Sequence, residues 1–172
     1  MRAALLALAL LAPLATAAQQ QTTTICQTPE ADGLDFWVGT WDLRWNAASG
    51  EGTGVNVITR ELGDCVIHER FEDLNTGFAG ESVSVYTPSG WRQTWVDNSG
   101  GYLVFSGATH EDGTVAEMRM EPVANASGEM QINRMMWEDV TADSLTWRWQ
   151  ASTDGGETWT DNWVIYYTRR AE

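Results

Sequence analysis

Beyond residue 35 the chain runs in short stretches of alternating apolar and polar residues. Clusters of Gly, Asn, Asp, Ser and Pro separate them, and no 3.6-residue apolar period is sustained. That rhythm predicts strands near 40–46, 53–60, 65–72, 80–87, 91–97, 102–108, 114–120, 129–138, 144–152 and 158–168. Some of them alternate cleanly. Leu145, Trp147, Trp149 and Ala151 share one face, and Trp159, Trp163, Ile165 and Tyr167 share another, interrupted only by Asp161. Turns at 98–101 and 111–113 carry the Asn-, Asp- and Gly-rich chemistry of hairpins. A single helical turn is expected at 29–36. Ten short strands without partner helices imply an all-β barrel or sandwich.

The front of the chain follows a different pattern. Met1 and Arg2 precede an apolar run over 3–14 and then Ala15-Thr16-Ala17, the layout of a secretory signal peptide cleaved after Ala17. The run is shorter than the ~20 apolar residues a membrane helix needs, and no comparable stretch follows. The expected organisation is a signal peptide at 1–17, a flexible polar arm at 18–32 and one β domain at 33–172, in a periplasmic or secreted protein with no membrane insertion once the leader is gone.

Charge narrows the chemistry. The chain has 172 residues, with 24 acidic and 10 basic side chains and a formal net charge of −14. Every basic residue is Arg, which excludes a Walker-type phosphate loop, a Schiff-base enzyme and a pyridoxal phosphate anchor, all of which need a Lys amine. The negative excess also argues against nucleic acid as a partner. An apolar content of 43% with 10 Trp is enough for a substantial core.

Cys26 and Cys65, the only two cysteines, would meet an oxidising compartment after export, so one disulfide between them is expected. It would staple the arm to the body.

Gly39-Thr40-Trp41, preceded by Asp35-Phe36-Trp37, resembles the Gly-x-Trp signature of lipocalins and other calycin-type barrels. The resemblance implies a single antiparallel barrel in which Trp41 closes one end, with Arg169 or Arg170 of the last strand lying over its ring. A wider set of segments resembles a family of secreted bacterial proteins with a calycin-like fold and no assigned reaction. These are the 35–42 opening, Cys65-Val66-Ile67 with Glu69, Gly80-Glu81-Ser82, Trp91 with 93–97, and 152–159 with the terminal Arg pair. The likeness covers roughly 33–170. The 152–159 segment also fits the Asp-box pattern of sialidase propellers. There Asp154 and its Ser would bond turn amides, Gly would take the positive φ and Trp159 would pack beneath. A single copy is read as a turn between the last two strands.

Nitrobindin-like barrels, related to that fold, hold haem through a His. Here His68 is expected to face outward and His110 to lie in a loop, so neither haem nor a metal is expected. Gly80-Glu81-Ser82-Val83-Ser84 does not form a nucleophile elbow.

Charged residues on apolar strand faces are more informative. Glu69 shares a face with Cys65, Ile67 and Phe71, and Arg134 shares one with Met130, Ile132 and Met136. If both point inward, each needs a partner, and they could serve each other. One reading places Glu69, Tyr86, Gln93, Trp95 and Arg134 in a pocket for a small apolar or aromatic ligand. Another makes the pair a salt bridge within a filled barrel. A third uses Glu69 as a catalytic acid or base, and a fourth makes the protein a ligand-free cell-envelope interaction module with a filled core.

Overall fold

The computed structural model describes residues 24–48 and 50–171. The leader expected at 1–17 and the first part of the arm expected at 18–32 lie outside the described residues. The described chain opens with three short 3-10 turns, Ile25–Gln27, Pro29–Asp32 and Asp35–Trp37. Pro29 occupies the first position of the second turn, where its missing N–H leaves no bond unmade. Ala31, Leu34 and Trp37 from these turns are buried.

Eleven antiparallel strands follow. They are β1 (Gly39–Ala47), β2 (Gly50–Glu61), β3 (Val66–Asp73), β4 (Ala79–Thr87), β5 (Gly90–Asp97), β6 (Tyr102–Thr109), β7 (Val115–Arg119), β8 (Val123–Ala124), β9 (Met130–Glu138), β10 (Ser144–Ser152) and β11 (Thr160–Arg169). Neighbours in sequence pair from β1 to β7, β7 then pairs with β9, β9 with β10, β10 with β11, and β11 with β1. Ten strands therefore close on themselves with no free edge. The two-residue β8 pairs with one end of β9 outside that ring. The fold is an all-β, closed antiparallel barrel, as the strand rhythm and turn spacing predict.

Cys26 and Cys65 form a disulfide. It ties the first 3-10 turn to the loop between β2 and β3, closing a segment of 39 residues in sequence separation. By the chain-entropy argument a loop of that size stabilises the fold by about 3–4 kcal/mol. Arg60 reinforces the same end, donating to Asp32, Asp35 and the Asp64 carbonyl.

The two halves of the barrel are filled differently. The end carrying the 3-10 turns is packed solid by Leu34, Trp37, Trp41, Trp91, Met118 and Trp137, each at most 4% exposed. Toward the other end, Phe78, Trp95, Leu103, Trp147, Trp149 and Trp163 remain only partly buried.

Strand faces depart from simple alternation at one place. A bulge interrupts the β10–β11 register between Trp149, which pairs with Trp163, and Gln150, which pairs with Asp161. The extra residue reverses the facing of what precedes it in β11. Trp163, Ile165 and Tyr167 point into the barrel, whereas Asp161 accepts from Arg148 and Gln150 on its outside. Trp159 lies outside as well, against Arg134, and does not share the face of Trp163.

Candidate functional site

The interior has one polar wall. In β2 to β5 the inward positions include Asn56, Glu69, Ser82, Ser84 and Gln93, all buried. Register brings them together, because Glu69 stands opposite Ile58 on one side and Ser82 on the other. The Glu69 carboxylate accepts from Asn56 Nδ2 at 2.7 Å and from Ser82 Oγ at 2.7 Å. Asn56 Nδ2 also donates to the Tyr167 hydroxyl at 3.0 Å, and Gln93 Nε2 donates to Ser84 Oγ at 2.9 Å. Burial pushes the Glu69 carboxyl above the usual carboxylate range, with the Ser82 and Asn56 hydrogen bonds opposing that rise. Tyr167 is pushed up as well, by burial first and by the neighbouring Glu69 charge second.

Facing this wall are aromatic rings. Trp147 and Trp149 lie parallel, with centroids 6.5 Å apart and planes within 6°. Trp163 meets Trp147 edge-on at 6.0 Å, and Phe71 meets Trp163 edge-on at 5.7 Å. Phe105 meets Trp149 edge-on at 5.9 Å. Between the two walls, in the half of the barrel away from the disulfide, is a cavity of about 230 Å³ bounded by these rings, Glu69, Tyr167 and, at its rim, Phe78, Trp95 and Asp97. The volume falls below the ~300–1,000 Å³ of sites for drug-sized molecules, so a smaller molecule suits it.

Trp95 owes its position to an absent side chain. A Cβ on Gly80, across the β4–β5 pair, would overlap the Trp95 indole. At the rim, Trp95 Nε1 donates to Asp97 at 3.0 Å. Asp97 also accepts from the Ser99 hydroxyl and from the Ser99 and Gly101 backbone amides. Ser99 first, then Gly101 and Trp95, hold its carboxyl down at about 2.

The five residues expected to form a pocket are divided by the structure. Glu69 and Trp95 line the cavity. Gln93 is on the same inner face, engaged with Ser84. Tyr86 packs against Trp91, ring centroids 5.7 Å apart, toward the filled half. Arg134 is on the outer face and does not meet Glu69. Its guanidinium donates to Glu117 at 2.7 Å and to Gln150 at 2.8 Å, and lies 3.8 Å over the Trp159 ring. The inward residues of β9 are Met135 and Trp137. Met130, Ile132 and Met136 share the outer parity of Arg134, so their apolar character does not mark an inward face; Met130 is exposed.

The cavity also recruits residues that sequence reasoning does not single out as pocket residues, chiefly Tyr167, Asp97 and Phe78. Tyr167 alternates with Ile165 and Trp163, a signal present in the sequence. Nothing local marks Phe78 or Asp97, which sit at strand ends brought to one rim by closure of the barrel.

At the filled end the Arg169 guanidinium lies 4.0 Å over the Trp41 ring and donates to the Phe36, Val38 and Ala142 carbonyls. Gly39, at φ 139°, leaves the space this guanidinium occupies, since a Cβ there would overlap it. Arg170 instead pairs with Asp42 outside. In the 152–159 turn Asp154 accepts from Ser152 Oγ and from the Glu157 and Thr158 amides, with Gly155 and Gly156 at positive φ. These bonds, led by the Thr158 hydroxyl, hold the Asp154 carboxyl well below the usual range. Trp159 Nε1 donates to the Gly156 carbonyl at 3.1 Å.

His68 bridges Glu61 and Glu81 on the barrel exterior, both at 3.1 Å. Among the described residues no group of three or more His, Cys, Asp or Glu is arranged to hold a metal. No described helix is long and apolar enough to cross a membrane.

No family model matches the chain, and no curated protein matches it. Among solved structures it is similar to a de novo designed fluorescence-activating beta barrel. The two share 15% identity at a TM-score of 0.41, over 81% of this chain and 98% of that one. The barrel reading rests on the strand pairing itself.

Proposed function

We propose that this chain is an exported, calycin-like barrel that binds a small, largely apolar or aromatic molecule in the cavity away from the disulfide. The observation that carries the reading is the contrast in packing. A barrel able to fill one half with large rings to near-complete burial keeps about 230 Å³ open in the other, walled by rings and one buried carboxyl group. The leader-like segment at 1–17 and the disulfide support export into an oxidising compartment, periplasmic or extracellular. The Gly39-Thr40-Trp41 opening with Arg169 over Trp41 supports kinship with calycin-type barrels.

Native mass spectrometry on protein recovered without denaturation from producing cells tests the reading. The expected result is an added mass that denaturation releases and that a cavity-filling Leu103→Trp variant no longer carries. Retention of the same mass by that variant would overturn the assignment to this cavity.

One observation favours a second reading. Glu69, its carboxyl pushed up by burial on the wall of the cavity and linked through Asn56 to Tyr167, is placed as a general acid or base would be. In that case Glu69→Gln would abolish turnover of a bound substrate without weakening its binding.

A further inference from the structure

The charge of the cavity wall is one-sided. Two carboxyl groups, Glu69 in its depth and Asp97 at its rim, line it together with eight aromatic residues, and among the described residues no Arg or His does. The chain has no Lys to contribute. The basic residues of the nearby strands are committed elsewhere, Arg134 to Glu117 and Trp159, and Arg148 to Glu138 and Asp161. On the polar wall the unpartnered buried atoms are acceptors, whereas the unpartnered indole N–H groups of Trp37, Trp91 and Trp137 belong to the filled half. Asn56 turns its amide nitrogen to Glu69 and Tyr167, which leaves its buried Oδ1 without a partner, and Gln93 Oε1 is likewise unpartnered.

From this arrangement we infer that the ligand of the cavity is a small organic cation, a protonated or quaternary amine on an apolar or aromatic body. The inference rests on the proposal that this cavity is the binding site and adds the chemical class of what it takes. An anion would meet two carboxyl groups and no positive partner in a poorly solvated space. A neutral molecule would fill the space without pairing either carboxyl group. A cation pairs with the carboxyl groups from the cavity side, and the rings of Trp95, Trp147, Trp149 and Trp163 line the same space, where an aromatic quadrupole attracts cations. The formal net charge of −14 concentrates cations around the molecule and speeds their arrival.

Three probes that share a benzene ring and differ in charge separate the outcomes: benzylammonium, benzyl alcohol and benzoate. Each is titrated at neutral pH into the disulfide-bonded protein, with binding followed by tryptophan fluorescence and calorimetry. The expected order is benzylammonium tighter than benzyl alcohol by about tenfold or more, with benzoate not binding. Glu69→Gln should narrow the gap between the first two to about threefold or less, and Trp149→Ala should weaken both. If benzyl alcohol binds as tightly as benzylammonium, the cation assignment is overturned while the cavity remains a binding site. If none of the three binds at millimolar concentration, the cavity reading falls together with the cation assignment. Should Glu69→Gln fail to fold, the comparison of the three charges on the unmodified protein still decides.

Discussion

The two ends of this barrel are made from the same residue types and put them to opposite use. Four tryptophans, Trp37, Trp41, Trp91 and Trp137, fill the end next to the disulfide, and four others, Trp95, Trp147, Trp149 and Trp163, surround empty space at the far end. What separates them is the 24–37 segment. Its 3-10 turns push Leu34 and Trp37 into the barrel mouth, and Cys26–Cys65 with Arg60 holds them there. Among the described residues no comparable segment enters the far end, and hairpin turns form its rim. A barrel of this circumference is not filled by its own strands. Where the chain supplies a plug it becomes core, and where it does not a cavity persists.

Substitutions that attack the plug should therefore act on stability and spare the cavity. The largest effect is expected for Trp41→Ala, which empties a fully buried site and removes the stack with Arg169 and the bond to the Trp37 carbonyl. Thermal or urea unfolding should show a loss of about 3–5 kcal/mol. Replacing both cysteines by Ser should cost about 3–4 kcal/mol in the same assay while the folded fraction keeps its affinity for a cavity ligand. Loss of binding there would mean that the two ends are coupled.

At the hollow end the balance reverses. Trp149→Ala should cost less stability, about 1–2 kcal/mol because the ring is only partly buried, yet weaken ligand binding by about tenfold or more. Arg134→Ala, on the outer face, should cost about 1–2 kcal/mol through its bonds to Glu117 and Gln150 and leave cavity affinity unchanged in a titration. A large drop in affinity would place Arg134 in communication with the interior.

The smallest change concerns pH. Burial raises the Glu69 carboxyl, so the unfolded chain releases this proton at a lower pH than the folded one does. Its contribution to the fold is fully present below the ordinary Glu range and is lost as pH rises through the folded value. Asp97 has the opposite sign: held down at about 2, it favours the fold above the ordinary Asp range and loses that contribution as pH falls toward about 2. Glu69→Gln keeps the shape of the side chain and removes only the first trend. Urea midpoints measured across the carboxylate range should rise in the variant relative to the parent as pH increases, and the two should differ little at the acid end.

Strand positions are legible because each ends at a turn whose residues have their own local reason to bend, as at Asn98-Ser99-Gly100 and Asp112-Gly113. The inward facing of Glu69 is legible too, since Ile67 and Phe71 flank it at even spacing. That of Arg134 is not. The Met135-Met136-Trp137 run puts apolar residues on both parities of β9, so periodicity does not tell which parity faces inward, and only the folded 152–159 turn shows that Arg134 packs outside against Trp159. The same limit applies to Trp159, whose facing depends on one bulged residue in β11 that no periodicity reveals. Whether the barrel is hollow does not emerge from the sequence either, because ten tryptophans are compatible with a packed core or a lined cavity until the plug is located.

Gly80 gives the cavity a tuning point that lies behind its wall. The Trp95 ring rests where a Gly80 side chain would stand, so the position of the rim is set by a residue that does not itself line the cavity. A single added methyl at that position must displace the indole and with it the bond to Asp97. A one-carbon change on the neighbouring strand could thus reshape the entrance while every residue lining the cavity stayed the same.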